Sequence, residues 1–185
     1  MQSRMKQYPL DAVKIEELLT EEPVGRVASN GADGFPYVTP VHYVILNGKI
    51  YFHGLATGEK IQNIRASSLV CFQVDKMRSI IHDDTPCDTN TEYRSVIIRG
   101  TAEIVVDNEE KVEALNAVVE KFTPQHTGKS FSENMLKMTA VVRISPVSCI
   151  PRCPRGASDS LVATGGGGVL RQARDRKINI FSRNQ

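Results

Sequence analysis

Between Ile50 and Ile64 the sequence IYFHGLATGEKIQNI sets one imidazole, two glycines and a lysine at a spacing suited to holding an anion. His53 and Gly54 follow the β-prone Ile50, Tyr51 and Phe52, and Gly58 opens a segment that carries Lys60, Ile61 and Ile64 at helical spacing. A helix start that follows a glycine loop leaves backbone N–H groups unpaired, and the positive end of the helix dipole adds to them. Lys60 brings a full charge, so phosphate is the ligand class that this stretch predicts. His53, with an ordinary pKa of about 6.5, is a group able to give a proton or a hydrogen bond near neutral pH.

Other chemistry-bearing residues are less organised. His82, Asp83 and Asp84 fall in a polar segment with no matching ligands elsewhere and read as solvated charge. Cys149 and Cys153 form a C-x3-C pair between prolines, but no second Cys/His pair with zinc-like spacing accompanies it, and no metal ligand set is assigned. Cys71, inside LVCFQV, reads as a small buried hydrophobe. No GxSxG elbow supports a Ser/His/Asp hydrolase, and neither GxGxxG nor GxxxxGK[ST] is present to support a Rossmann or P-loop site.

The elements that must position these groups follow from periodicity and turn chemistry. Leu10 to Leu19 has helical spacing with Asp11 as N-cap. Val24 to Ser29 reads as a first strand, and Asn30 to Gly34 as a turn into FPYVTPVHYVIL, where Pro36 and Pro40 argue for an edge or bulged strand. Asn47-Gly48 is a strong hairpin signal leading into Lys49–His53. A helix over Lys60 to Ala66 precedes the buried strand SLVCFQVD, and Lys76 to Thr91 reads as a polar loop lying over a site. YRSVIIRGTAEIVVD is a long strand bent at Gly100, Asn108 caps a further helix through Phe122, and the last strand spans Met138 to Ser145. Hairpins dominate over helical crossovers. The fold class predicted is mainly β with peripheral helices, built on a six-stranded antiparallel barrel.

A chain of 185 residues with 41% hydrophobic and 24% charged residues has the composition of a soluble globular protein with a substantial core. Its net charge of +2, from 23 basic and 21 acidic residues, does not point to a nucleic-acid partner. No stretch has the apolar length of a membrane span, and the opening residues MQSRMKQYPLDAV lack a signal-peptide core, so a cytoplasmic location with reduced thiols is expected. Character changes at Pro146, after which four consecutive glycines and clustered Arg and Lys replace amphipathic pattern. Residues 1–145 are therefore expected to form one domain. Residues 146–185 read as a C-terminal extension, either flexible or packed on a partner subunit through KINIF.

The ordered series PVGRVAS, GFPYVTPVHYV, NGKIYFHGLATGEKIQNI, LVCFQVD and YRSVIIRGTAEIV resembles the FMN-binding split-barrel flavoproteins. Within them it is most similar to the nitroimidazole-resistance group, a relative of pyridoxamine phosphate oxidase. The resemblance implies a split barrel, a homodimer and FMN in clefts between subunits. It puts the backbone of Thr39, Pro40, Val41 and His42 along the isoalloxazine edge, His53 and Gly54 beside the flavin, and Lys60 on its phosphate, with Asn63 one turn further. Tyr93, Arg94 and Ser95 would add polar contacts, Arg94 as a second phosphate cation. Departures exist: Gly58-Glu59-Lys60 replaces a Ser-Arg-Lys element, and the chain has no Trp, which counts against pyridoxine chemistry. The function implied is an FMN-dependent oxidoreductase passing electrons to a small acceptor such as a nitroaromatic, with His53 in the catalytic position. The alternative is a flavin carrier or sensor without turnover.

Overall fold

The computed structural model describes residues 10–152. Asp11 caps helix α1 (Ala12–Glu21), its carboxylate accepting from the Lys14 N–H at 2.8 Å. Ile15, Leu18 and Leu19 are buried along one face of this helix. Strands β1 (Val24–Asn30), β2 (Pro36–Leu46) and β3 (Lys49–Leu55) follow as an antiparallel meander. Asn47 and Gly48 join the last two with φ of 52° and 73°, the left-handed pair that a two-residue hairpin needs. After helix α2 (Glu59–Ala66), β4 (Leu69–Ile81) and β5 (Asn90–Ile104) form a long hairpin. Helices α3 (Asn108–Phe122) and α4 (Glu133–Met138) then lead into β6 (Thr139–Arg152).

The six strands close into a barrel in the order β1-β2-β3-β6-β5-β4, each neighbouring pair antiparallel. Val27, Tyr43, Phe52, Phe72, Val74, Ile98 and Ile144 fill it. The Phe72 ring sits edge-on to Tyr43, with centroids 4.9 Å apart, and lies under Gly25, where a β-carbon would stand 2.2 Å from Cζ of Phe72. The Tyr43 hydroxyl donates to the Leu19 carbonyl at 2.8 Å, fastening α1 to the barrel, and burial pushes its pKa up. On the outer wall α3 covers Val44, Tyr51 and Val141 with Ala114 and Leu115. Glu110 fixes that helix by accepting from the Tyr51 hydroxyl at 2.7 Å and from both Arg143 Nη1 contacts at 2.7 and 2.9 Å; Arg143 also reaches Glu103.

Several sequence expectations are corrected here. The segment expected as a loop from Lys76 to Thr91 is a continuation of the β4–β5 hairpin, with pairing as far as Ile81 and Asn90 and a single turn of 3-10 helix at Pro86–Asp88. Its polar composition hides the strand because its side chains lie outside the barrel, where alternation with a core face is not required. The N-cap of α3 is Asp107, which accepts from the Glu110 N–H at 2.8 Å, one residue before the expected Asn108. The last strand does not stop at Ser145. A register shift at Arg99 and Gly100 lets β6 pass Pro146 and pair with β5 through Arg152. The later residues of the C-terminal extension, including Cys153 and KINIF, lie outside the described residues.

Candidate functional site

The strands β2 and β3 pair only from Tyr43 opposite Phe52 to Leu46 opposite Lys49. Beyond that point the two part. The Pro36–His42 half of β2 pairs with β1, and the His53–Leu55 end of β3 pairs with β6. The wall is thereby split, with one side of each strand unpaired, which is where proline at 36 and 40 can stand without removing a donor from a ladder. The expectation of an edge position for this half of β2 is met on one side of the strand.

Helix α2 starts at the open end of this split. Gly58 holds φ at 118°, a value that favours glycine, and delivers the chain into Glu59 and Lys60. A pocket of about 210 Å³ lies there, lined by Tyr37 and Thr39 of β2, Leu55 of β3, and Thr57 to Ile61. Lys60 is half-buried and folds back toward the barrel. Its Nζ sits 5.2 Å from the centre of the Phe52 ring and 3.6 Å from where a β-carbon on Gly54 would stand. No carboxylate among the described residues forms an ion pair with it, and partial burial lowers its pKa. A desolvated ammonium with free donors beside a glycine loop is a site for an anionic oxygen.

His42 and His53 stand one step beyond the last β2–β3 pair, on the outward-facing rows of their strands. The His42 ring lies flat on Phe122 at the end of α3, with centroids 4.6 Å apart and planes 19° from parallel. His53 is exposed at the rim, yet protein atoms crowd its imidazole. That partial desolvation, then the charges of His42 and Lys60, push its pKa below the ordinary value.

The structure thus brings Thr39, Gly54 and Lys60 together, with His53 and His42 on the adjoining rim. Pro40 is exposed on β2, and Val41 points into the barrel core. Asn63 is only 3% exposed and donates to Ser29 Oγ at 3.4 Å, which fixes α2 to β1. Tyr93, Arg94 and Ser95 lie on β5, opposite Met77, Lys76 and Asp75 of β4. Ser95 is buried, and Arg94 Nη1 pairs with Glu17 of α1 at 3.3 Å, not with Lys60's pocket or with the neighbouring Glu92 and Glu103. Tyr37, Leu55 and Thr57 line the pocket without having been singled out from sequence; Tyr37 shares the alternation of Thr39 on β2, which was the available signal. Phe122 ends the helix expected from Asn108, and nothing local connects it with His42.

Over residues 11–152 the chain matches the model of the pyridoxamine 5'-phosphate oxidase family. No curated protein matches it. Among solved structures, a candidate 5-nitroimidazole antibiotic resistance protein from Bacteroides thetaiotaomicron is 23% identical, with 76% of this chain and 82% of that one covered at a TM-score of 0.68. A flavocytochrome from Azotobacter vinelandii is 20% identical, covers 90% of this chain and 83% of its own, and has a TM-score of 0.71. These two share the fold. A FAD-binding protein from Mesorhizobium loti reaches 26% identity, covering 78% of this chain and 96% of that one at a TM-score of 0.57. Among the described residues no helix is long and apolar enough to cross a membrane. With the barrel, its split and the match over residues 11–152 taken together, the chain belongs to the pyridoxamine 5'-phosphate oxidase family.

Proposed function

We propose that the protein is a flavin-binding oxidoreductase that passes electrons to a small acceptor, a nitroaromatic being the class suggested by the resistance protein it resembles. The observation that carries the reading is Lys60, an ammonium without an ion-pair partner among the described residues, over a pocket that opens beside the β2–β3 split. The donor set fits a flavin nucleotide. Lys60 and the backbone N–H groups after Gly58 would hold a phosphate, Thr39 and Thr57 offer hydroxyls, and the parted strands offer unpaired backbone for a planar ring. When bound, a flavin supplies the electron transfer itself.

The chain's own part is to bind, orient and exclude. Gly54 leaves room for the Lys60 side chain to cross β3, where a larger residue would fill the path. His53, held neutral near physiological pH by its surroundings, offers a hydrogen bond at the rim. Val38 and Leu55 flank the split with 57% and 71% of their surface exposed. We assign that exposed apolar rim to a second copy of the chain, giving a homodimer with the cofactor between subunits.

FMN is the cofactor this reading takes first. FAD is the second reading, and a specific observation favours it: Glu59 stands beside Lys60, and Arg94 is committed to Glu17, so one cation remains for the phosphate. The FAD diphosphate spreads its two charges over two phosphates, whereas FMN concentrates up to two on one terminal phosphate. Denaturing the purified protein and separating the released flavin distinguishes the two. Anaerobic mixing with reduced nicotinamide cofactor and a nitroaromatic then separates an enzyme, which bleaches and recolours, from a carrier, which does neither.

A further inference from the structure

Apart from Glu59, which is exposed where it lines the pocket, the charged groups around the split are of one sign. Lys60 comes from α2, His42 from β2 and His53 from β3, while the residue opposite His53 on β6 is Val141. From α3 comes Lys121, whose ammonium lies 4.4 Å from the Tyr43 ring centre and 5.4 Å from that of Phe122 and donates to the Glu22 carbonyl. Of the acids on neighbouring elements, Glu22 acts on Lys121 and Tyr43 and pairs with Lys76. No carboxylate among the described residues contributes to the state of His53. Phe122 backs His42 with a flat apolar face and so limits its hydration on that side. Partial burial, and then the like charges of His42 and Lys60, favour the neutral form of His53 until something negative arrives.

We propose that the His42–His53 pair is a proton-linked anion subsite beside Lys60: it takes up a proton when a phosphate or carboxylate oxygen seats against it. Which ligand supplies that oxygen, the flavin's phosphate or an acidic group on the acceptor, rests on the reading of the site given above; the subsite itself does not. The linkage is reciprocal. An anion that draws a proton onto the pair binds more tightly as pH falls, up to about tenfold per pH unit where one full proton is taken up. Lys60 sets the baseline affinity, and the imidazoles set its slope with pH.

The test follows the histidine C2–H proton resonances of the full chain across the imidazole titration range. Sulfate, which does not titrate there, is the first probe on flavin-free protein. The titration of His53 should move to higher pH in sulfate, and sulfate affinity should rise as pH falls. His42→Gln and His53→Gln, both at exposed positions, should flatten that rise, whereas Lys60→Ala should weaken binding and, by removing a charge that acts on His53, move the rise to higher pH without abolishing it. Flavin-loaded protein is then compared with 4-nitrobenzoate and with uncharged nitrobenzene. A shift on flavin loading assigns the oxygen to the cofactor's phosphate, and a shift produced by nitrobenzoate alone assigns it to the acceptor. Imidazole titrations unmoved by sulfate, flavin and nitrobenzoate, or a sulfate affinity independent of pH, overturn the proposal. A protein that binds sulfate in this way but takes up no flavin keeps the subsite and removes the flavin reading instead.

Discussion

Lys60 Nζ approaches the backbone of Gly54 so closely that a β-carbon there would stand 3.6 Å away, in van der Waals contact with the ammonium. A β-carbon would only touch the ammonium, so it is the lack of a larger side chain at this position on β3 that leaves room for the only cation lining the described pocket. Lys60→Ala should weaken flavin binding by about 1.5–3 kcal/mol, roughly ten- to a hundredfold in Kd, the range of a charge-assisted hydrogen bond. Lys60→Arg should restore part of the loss. Equal affinity in wild type and Lys60→Ala, measured by fluorescence quenching of added flavin, would remove Lys60 from the site.

Gly54→Val tests the same relationship from the strand. Two added methyls meet the Lys60 stem and displace it, so flavin affinity should fall while thermal stability changes little, because the position is half-exposed. Loss of folding in place of loss of affinity would contradict this account.

Gly25 is where glycine serves the core alone. A β-carbon there would lie 2.2 Å from Phe72 Cζ and 2.3 Å from Cε2, inside the barrel. Gly25→Ala should cost about 1–3 kcal/mol through overpacking, read as a lower denaturant midpoint. An unchanged midpoint would mean that the Phe72 ring yields without cost.

Arg94→Ala should leave flavin affinity unchanged, since its guanidinium is spent on Glu17, and should cost no more than about 1 kcal/mol for a pair whose carboxylate half is well exposed. A drop in flavin retention to match that of Lys60→Ala would return Arg94 to the phosphate.

Acid stability should depend on Glu110. Its hydrogen bond from Tyr51, and then those from Arg143, depress its carboxyl pKa, while burial, and then the same contact, pushes the Tyr51 hydroxyl up to about 12. A depressed carboxyl contributes stability that is complete above the ordinary carboxylate value and is lost as pH falls through the lowered one. Glu110→Gln should therefore destabilise the protein at neutral pH and flatten the acid limb of its stability curve. Parallel curves for the two proteins would refute the clamp.

Local chemistry was legible in the sequence, and its reach was not. Asn47-Gly48 names its turn because few residues tolerate positive φ, Asp11 names its cap, and Gly100 names a bulge that its crowding by Ser145 explains. Asp107 and Asn108 are both good caps, so the choice between them rests on packing of α3. The pairing of Arg94 with Glu17 joins residues 77 positions apart, and His42 meets Phe122 across a comparable span. Such contacts follow from barrel closure, which no window of sequence contains. Lys60 and Gly58 were found because their signal is local; Tyr37 and Leu55 were missed because theirs depends on where β2 and β3 part.

The central claim is that the split beside Lys60 binds a flavin nucleotide. The visible absorbance spectrum of the purified protein, read before and after dialysis against buffer containing FMN and FAD, tests it most directly. The account predicts a yellow protein with stoichiometric flavin, retained by wild type and lost by Lys60→Ala. A folded, colourless protein that takes up neither nucleotide would contradict it.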